Sequence, residues 1–564
     1  MVAAVLLASC TGDGDEPTAE DERADPSVTA TEFVEAWNSA DGEDLSTLAS
    51  SPTTVPAFLR AIRKAERFGL VTGYSVELTD ELGTPSPRTG AQVEAPYSIE
   101  WSSEASEAPV LMTGDLAMTY APDDTWVVDV SKELLWPEIP KAARFEVVTK
   151  WERRGWILDR SKHPFAKGHV DERSYPQGSV AGTTVGHIGS LTRADVKDGA
   201  EGMEGDLVGA SGLEAAFQEE LAGTPTFKLM VVNKKGKNLQ ELGRVAGTPG
   251  TDVRTTLDVD VQRAAEAAYG ATVGGAVVMD PKTGDLLAVV SSSPFDPNNY
   301  VGAADVHPFN RALSGLYPPG SAMKVVTASA ALDTKTVTPN TNVTGPKEYQ
   351  GVRNFESGEF GTIDFATAVK YSVNTAFAQV AEDLGSKKMT KYAEAFGFNG
   401  APSMALGAAT SSFPFPEDLG DLMWGSVGQA QVLATPLQMA TVAATVANNG
   451  KRMEPRIDRS VDPSGERVVT RKTAATMKVL METVVEGGTG TGARISGLRV
   501  AGKTGTAEVD VGGERKNHAW FVCFAPVEDP KVAVAVVSEY GGVGGQVAAP
   551  LARQILVSVL PHVK

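Results

Sequence analysis

The chain has 564 residues, 42% of them hydrophobic and 22% charged, with two cysteines and a formal net charge of −20. That length and composition fit several globular domains with cores of their own. The acidic balance excludes nucleic acid and anionic lipid surfaces as natural partners, and no internal apolar run has the length a bilayer span needs.

Residues 1–10 read MVAAVLLASC, and Leu7-Ala8-Ser9-Cys10 resembles the lipobox at which bacterial lipoproteins are cleaved and lipidated on cysteine. That resemblance implies a protein anchored through Cys10 to the cell membrane, on its extracytoplasmic face. With Cys10 lipidated, Cys523 has no disulfide partner and reads as a small core residue. Residues 11–27 are rich in acids, without apolar periodicity, and form a solvated linker.

Ala30, Phe33, Val34 and Trp37 recur at helical spacing, as do Val55, Phe58, Leu59 and Ile62, which predicts two amphipathic helices. GYSVEL, AQVEAPYSIEW, LMTGDLAMTY and TWVVDV then alternate as half-exposed strands, so residues 28–140 are expected to be a small α+β domain. From 141 to 255 the pattern is punctuated by Gly and Pro, and a single helix, GLEAAFQEELAG, ends at Gly223; this reads as an extended pedestal. A third unit, 256–564, opens with Leu257-Asp258, a helix VQRAAEAAYG, and a hairpin formed by GGAVVMD, PKTG and DLLAVVSSS.

Within that unit, YPPGSAMKVVTASAAL places Ser321 beside a helix N-terminus, because Pro318, Pro319 and Gly320 cannot continue a preceding helix. Lys324 stands three residues on, on the same helix face, so its amine can reach the Ser321 oxygen; burial among apolar neighbours would lower its pKa enough to make it a base. The bland alternative is an N-cap serine with a snorkelling lysine. Ser372-Val373-Asn374 lies in a helical segment, FATAVKYSVNTAFAQVAEDLG, and offers a hydroxyl for proton relay and an amide for a substrate carbonyl. Lys503-Thr504-Gly505-Thr506 precedes two strong strand runs, HAWFVCFAPV and KVAVAVVSEY. On an edge strand these residues suit an extended peptide with a terminal carboxylate. GGTGTG at 487–492 does not sit between a strand and a helix, and is weak as a dinucleotide loop. The six histidines show no ligand spacing, so neither a metal nor a cofactor is expected, and His518 reads as packing.

S-x-x-K, a second serine motif and K-T-G, in this order, form the signature of penicillin-binding proteins and class A β-lactamases. Asn310-Arg311-Ala312, TTLDVDVQ, VVMDPKTGDLLAVVS and GQAQVLATPLQMA extend the resemblance to the transpeptidase domain of class B penicillin-binding proteins. Arg154 to Arg160 and YPQGSVAGTTVGHIG, residues 175–189, are similar to the dimerisation domain of that class. The N-terminal unit resembles the NTF2-like domain of the low-affinity, methicillin-resistance type. The implied fold is multidomain α+β, ending in a five-stranded antiparallel sheet flanked by helices.

The resemblance implies a D,D-transpeptidase acting on peptidoglycan stem peptides and acylated by β-lactams, with a partner glycosyltransferase. Ser321 would be the nucleophile, Lys324 its base and Ser372 the proton shuttle. Asn374 would orient the donor amide, and Lys503, Thr504, Gly505 and Thr506 would bind the carboxylate. The backbone N–H groups of Ser321 and Thr506 would form the oxyanion hole. The alternatives are a D,D-carboxypeptidase or β-lactamase on the same fold, a β-lactam sensor and a non-catalytic assembly scaffold. A β-lactamase needs a group that activates water, for which Glu417 and Asp418, ahead of Trp424, are the candidates.

Overall fold

The first helix begins where the acidic stretch ends, at Pro26, with the Asp25 carboxylate accepting from Ser27 N at 2.9 Å. The computed structural model describes residues 25–67, 72–83, 88–102, 109–139, 143–200, 204–304 and 306–563; Cys10 and most of the acidic stretch lie outside them. Contacts divide the chain into two units, one running to Glu152 and including Thr224–Thr248, the other made of Arg153–Gly223 and Pro249 onward.

In the first unit, helices α1 (Pro26–Ser39), α2 (Gly42–Leu48) and α3 (Val55–Arg67) accompany an antiparallel sheet of β1 (Gly73–Leu78), β2 (Gln92–Ser102), β3 (Val110–Tyr120) and β4 (Trp126–Val128), in that order. The period-2 pattern decides what is buried: Ala95, Tyr97, Ile99 and Trp101 of β2 face inward while Glu94 and Glu100 stay exposed. Trp37 centres this core, with Phe58 edge-on at 5.2 Å and Tyr97 at 5.4 Å between centroids. The same unit holds a second antiparallel sheet, ordered β7-β6-β5, of β5 (Arg144–Lys150), β6 (Thr226–Val232) and β7 (Asn238–Val245). The stretch read from sequence as one pedestal over 141–255 is therefore shared between the two units.

In the second unit the pedestal segment is locked by a buried triad. Arg154 Nε and Arg173 Nε donate to Glu214 at 2.9 and 2.6 Å, and all three side chains are almost fully buried. The helix predicted over 212–223 is two short pieces, Gly212–Ala216 and Gln218–Ala222. Phe217 between them leaves the helical region (φ −116°, ψ 32°), and Gln218 Oε1 accepts from Arg154 and from Gly209 N. Gly223 (φ +64°) closes the second piece, as the sequence pattern required.

The rest of the second unit is built on a five-stranded antiparallel sheet. Its order is β9-β8-β12-β11-β10, from β8 (Gly274–Met279), β9 (Leu286–Ser291), β10 (Ala501–Val511), β11 (Glu514–Ala525) and β12 (Val532–Ser538). Both faces are covered, which is why β11 and β12 read as unbroken apolar runs. Phe521 and Cys523 join the core shared with α4 (Val259–Tyr269) and a C-terminal helix, Ala548–Val559, while Trp520, Val522 and Phe524 join the larger core of the helical half. β10 is an edge strand, so among the described residues no further strand pairs with its outer side.

Candidate active site

Three contacts fix the turn that precedes Ser321. Tyr317 and Ala434 exchange backbone hydrogen bonds at 3.0 and 2.8 Å, Trp520 Nε1 donates to Pro318 O at 2.9 Å, and Gly320 N donates to Gly428 O at 2.8 Å. Gly320 takes φ +52°, and a Cβ there would lie 2.6 Å from Thr506 O, so only glycine lets the turn meet β10. Ser321 follows in a short 3₁₀ turn, Gly320–Met323, and Lys324 opens helix α5 (Lys324–Asp333), most of which is buried.

The Ser372 motif does not lie in a continuous helix. Helix α6 (Phe365–Tyr371) stops, Ser372 takes a left-handed conformation (φ +58°, ψ 43°), and α7 (Asn374–Leu384) begins two residues later. Non-glycine residues seldom adopt this conformation, and here both lysines meet at the kink. The Lys324 amine donates to Ser372 O at 2.8 Å and to Asn374 Oδ1 at 2.5 Å, and lies 3.2 Å from Ser372 Oγ. From the other side, Lys503 Nζ donates to Ser372 Oγ at 2.8 Å and to Thr504 O at 3.0 Å. Asn374 Nδ2 is tied to Arg353 O at 2.8 Å, which fixes its carboxamide. The Lys324 amine, expected at the Ser321 hydroxyl, is thus turned toward Ser372 and Asn374, and no hydrogen bond joins it to Ser321 among the described residues.

Each lysine is about 1% exposed, and neither has a carboxylate partner among the described residues. Burial, then the nearby charge of Lys503, pushes the Lys324 amine well below the usual lysine range. Burial alone lowers Lys503 to about 7. Two buried amines separated by one hydroxyl are costly to keep charged together, which favours a neutral base at Lys324.

On β10 the side chains of Thr504 and Thr506 face a cleft of about 970 Å³ that also exposes Ser321, Ser372 and Asn374. Gly505 packs under the turn: a Cβ there would lie 2.5 Å from Pro319 O. Gly544 N donates to Thr506 Oγ1 at 3.1 Å, which leaves the threonine proton free for a ligand. Thr489 Oγ1 lies 2.6 Å from Thr504 Oγ1 and also lines the cleft. Sequence reasoning passed over Thr489. The signal was the GGTGTG stretch, whose two leading glycines end the helix Arg471–Gly487 and turn the chain toward β10. Glu417 and Asp418 do not line the cleft; Asp418 caps the helix Leu419–Ser426 by accepting from Asp421 N. His518 stacks edge-on to Tyr317, with Nδ1 accepting from Tyr540 N at 3.2 Å.

The penicillin binding protein transpeptidase domain family matches residues 274–557, just over half of the chain, and the penicillin-binding protein dimerisation domain family matches residues 153–255. Peptidoglycan D,D-transpeptidase MrdA of Acinetobacter baumannii is 29% identical over 440 residues; the match covers 68% of this chain and 65% of that relative. Peptidoglycan D,D-transpeptidase PbpA of Mycolicibacterium smegmatis is 35% identical over 375 residues, covering 58% of this chain and 76% of that one. The crystal structure of Pseudomonas aeruginosa PBP2 in complex with WCK 5153 aligns with a TM-score of 0.63 at 30% identity, over 74% of this chain and 97% of that one. With both family domains in tandem and a cleft that gathers all three motifs, the chain belongs to the class B penicillin-binding proteins.

Proposed function

We propose that the protein is a peptidoglycan D,D-transpeptidase that crosslinks stem peptides through an acyl-enzyme on Ser321, and that β-lactams acylate the same serine. The observation that carries this reading is the pair of buried, carboxylate-free amines on either side of Ser372, which itself lines a cleft with Ser321, Thr504 and Thr506. Lys324, neutral through burial, takes the Ser321 proton as Oγ attacks the carbonyl between two D-alanines. The oxyanion faces the N–H groups of Ser321 and Thr506, and one such donor typically contributes about 2.7–4 kcal/mol in the transition state. As the C–N bond breaks, Ser372 passes a proton to the departing D-Ala nitrogen. Asn374 holds the donor amide, while Lys503, Thr504 and Thr506 hold the terminal carboxylate against Gly505. An amine from a neighbouring strand then opens the ester and restores Ser321.

Labelling with a fluorescent penicillin followed by mass spectrometry tests this. The adduct is expected on the peptide containing Ser321, long-lived, and absent from Ser321→Ala. Rapid steady-state turnover of nitrocefin would instead make the protein a β-lactamase.

Further readings concern the rest of the chain. The N-terminal segment to about residue 139, three helices with a four-stranded antiparallel sheet, supports an NTF2-like spacer of the low-affinity, methicillin-resistance type. As a passive spacer it leaves the acylation rate unchanged when peptidoglycan fragments are added; a changed rate would make it a regulatory site. No described helix is long and apolar enough to cross a membrane. The lipobox-like stretch supports anchoring through Cys10 at the outer face of the cell membrane, beside a partner glycosyltransferase that supplies acceptor strands. Detergent-phase partitioning that survives Cys10→Ala would sink the lipid anchor.

A further inference from the structure

We propose that Glu539 is a positioning residue that holds the turn carrying Ser321 through Tyr317 and, from the same point of the chain, roots the loop that sets Thr506. It directly follows β12, and its backbone N donates to Val273 O at 2.8 Å. The carboxylate oxygen Oε1 accepts from Tyr317 OH at 2.6 Å and from Arg311 Nε at 2.9 Å. The ion pair is largely buried, with the Arg311 and Glu539 side chains 25% and 16% exposed. Neither Glu539, Tyr317 nor Arg311 lines the cleft, so an effect on chemistry must travel through other residues.

One path runs through the nucleophile's turn. Tyr317 stands four residues before Ser321, and its ring is buried edge-on to His518 and Trp520, with centroids 5.3 and 6.1 Å away. Between Tyr317 and Ser321 lie Pro318, Pro319 and Gly320. Proline rings fix φ at two of these positions, so few soft torsions remain to absorb a shift of Tyr317 before it reaches Ser321. The other path runs forward along the chain. Tyr540 takes a left-handed backbone (φ +53°) and donates its N–H to His518, and four residues later Gly544 N donates to Thr506 Oγ1. One carboxylate therefore sits at the junction of the nucleophile's turn and the loop that bonds Thr506, and the hydroxyl of Tyr317 is the contact that joins them.

The inference rests on Ser321 being the acylated residue, and the test separates the two. Tyr317→Phe removes only the hydroxyl, and Glu539→Gln removes the charge while keeping an oxygen acceptor. Acylation of the full chain by a fluorescent penicillin is followed to saturation, giving Kd and the acylation rate constant separately. Labelling stoichiometry reports the active fraction, and a thermal melt reports folding. Tyr317→Phe is expected to slow the acylation step about tenfold, with Kd changed by less than about twofold. Because Glu539→Gln weakens and Tyr317→Phe removes the same contact, their effects are expected not to multiply in the double variant. A rate constant per active site equal to wild type in both variants would overturn the proposal, as would losses that multiply in the double. A loss explained by a smaller folded fraction alone would also overturn it. A wild-type chain that took no label would remove the Ser321 reading and this proposal with it, whereas labelling unaffected by Tyr317→Phe would remove the proposal alone.

Discussion

Lys324 and Lys503 are one hydroxyl apart, and their opposite requirements set the pH dependence of the cleft. A lowered pKa means that each amine holds its proton only at lower pH than an ordinary lysine. Lys324 must be neutral to act as base, so acylation rises with pH as it loses its proton. Lys503 must be charged to hold a carboxylate, so acylation by a carboxylate-bearing β-lactam falls as pH rises through about 7. A fall in the second-order acylation constant as pH rises through about 7 is therefore expected. Lys503→Arg, charged throughout, is expected to retain weak acylation without that fall; the same fall in that variant would assign it elsewhere. Thr489→Val is expected to leave Thr504 without its 2.6 Å partner. It should raise Kd for the same ligand by up to about tenfold with the acylation step unchanged, since a hydrogen bond between neutral groups contributes about 0.5–1.5 kcal/mol. The pairing of Ser321 with Lys324 could be proposed from the sequence because a three-residue spacing over one helical turn is a local fact, although the Lys324 amine turns instead to Ser372 and Asn374. Thr489 was not, because its contact with Thr504 spans a loop whose glycines specify a turn without naming what the turn approaches.

At the scale of elements, the site depends on how closely β10 can lie against the Ser321 turn. Gly505→Ala would put a methyl group 2.5 Å from Pro319 O and 2.9 Å from Trp520 Cβ, both on parts of the molecule already fixed by hydrogen bonds. The strand must move outward, taking Thr506 and its N–H away from the oxyanion position proposed for it. The expected result is a folded protein, unchanged in its melting curve to within a few degrees, that acylates about a hundredfold more slowly, since small misplacements cost that much. Wild-type rates would show that the strand and turn tolerate separation. The strands themselves were readable as apolar runs because both faces of the sheet are covered, and the N-terminal sheet was readable from alternation because its outer face is wet. The breaks at Ser372 and Phe217 were not readable. The flanking residues favour helix, and each break is stabilised by partners distant in sequence: Lys324 and Lys503 at Ser372, Arg154 and Gly209 at the residue after Phe217.

For the whole molecule, the division into two units with separate cores predicts separate unfolding transitions. The triad in the pedestal segment identifies which transition is which. Glu214 is fully buried and carries both Arg154 and Arg173, each at most 5% exposed. Removing the carboxylate leaves two guanidinium groups in the interior with only backbone and carboxamide oxygens to accept from them. Breaking a buried pair in this way typically costs about 3–5 kcal/mol. The segment is joined to the transpeptidase core, where Arg160 N donates to Leu257 O at 2.8 Å and Asp159 accepts from Val259 N at 3.3 Å. The loss should therefore appear in the transition of the second unit, while the first melts as before. Differential scanning calorimetry of Glu214→Ala is expected to show one endotherm displaced to lower temperature and one unmoved. Equal displacement of both would mean that the two units unfold as one, and displacement of neither would mean that water reaches the guanidinium groups once the carboxylate is gone.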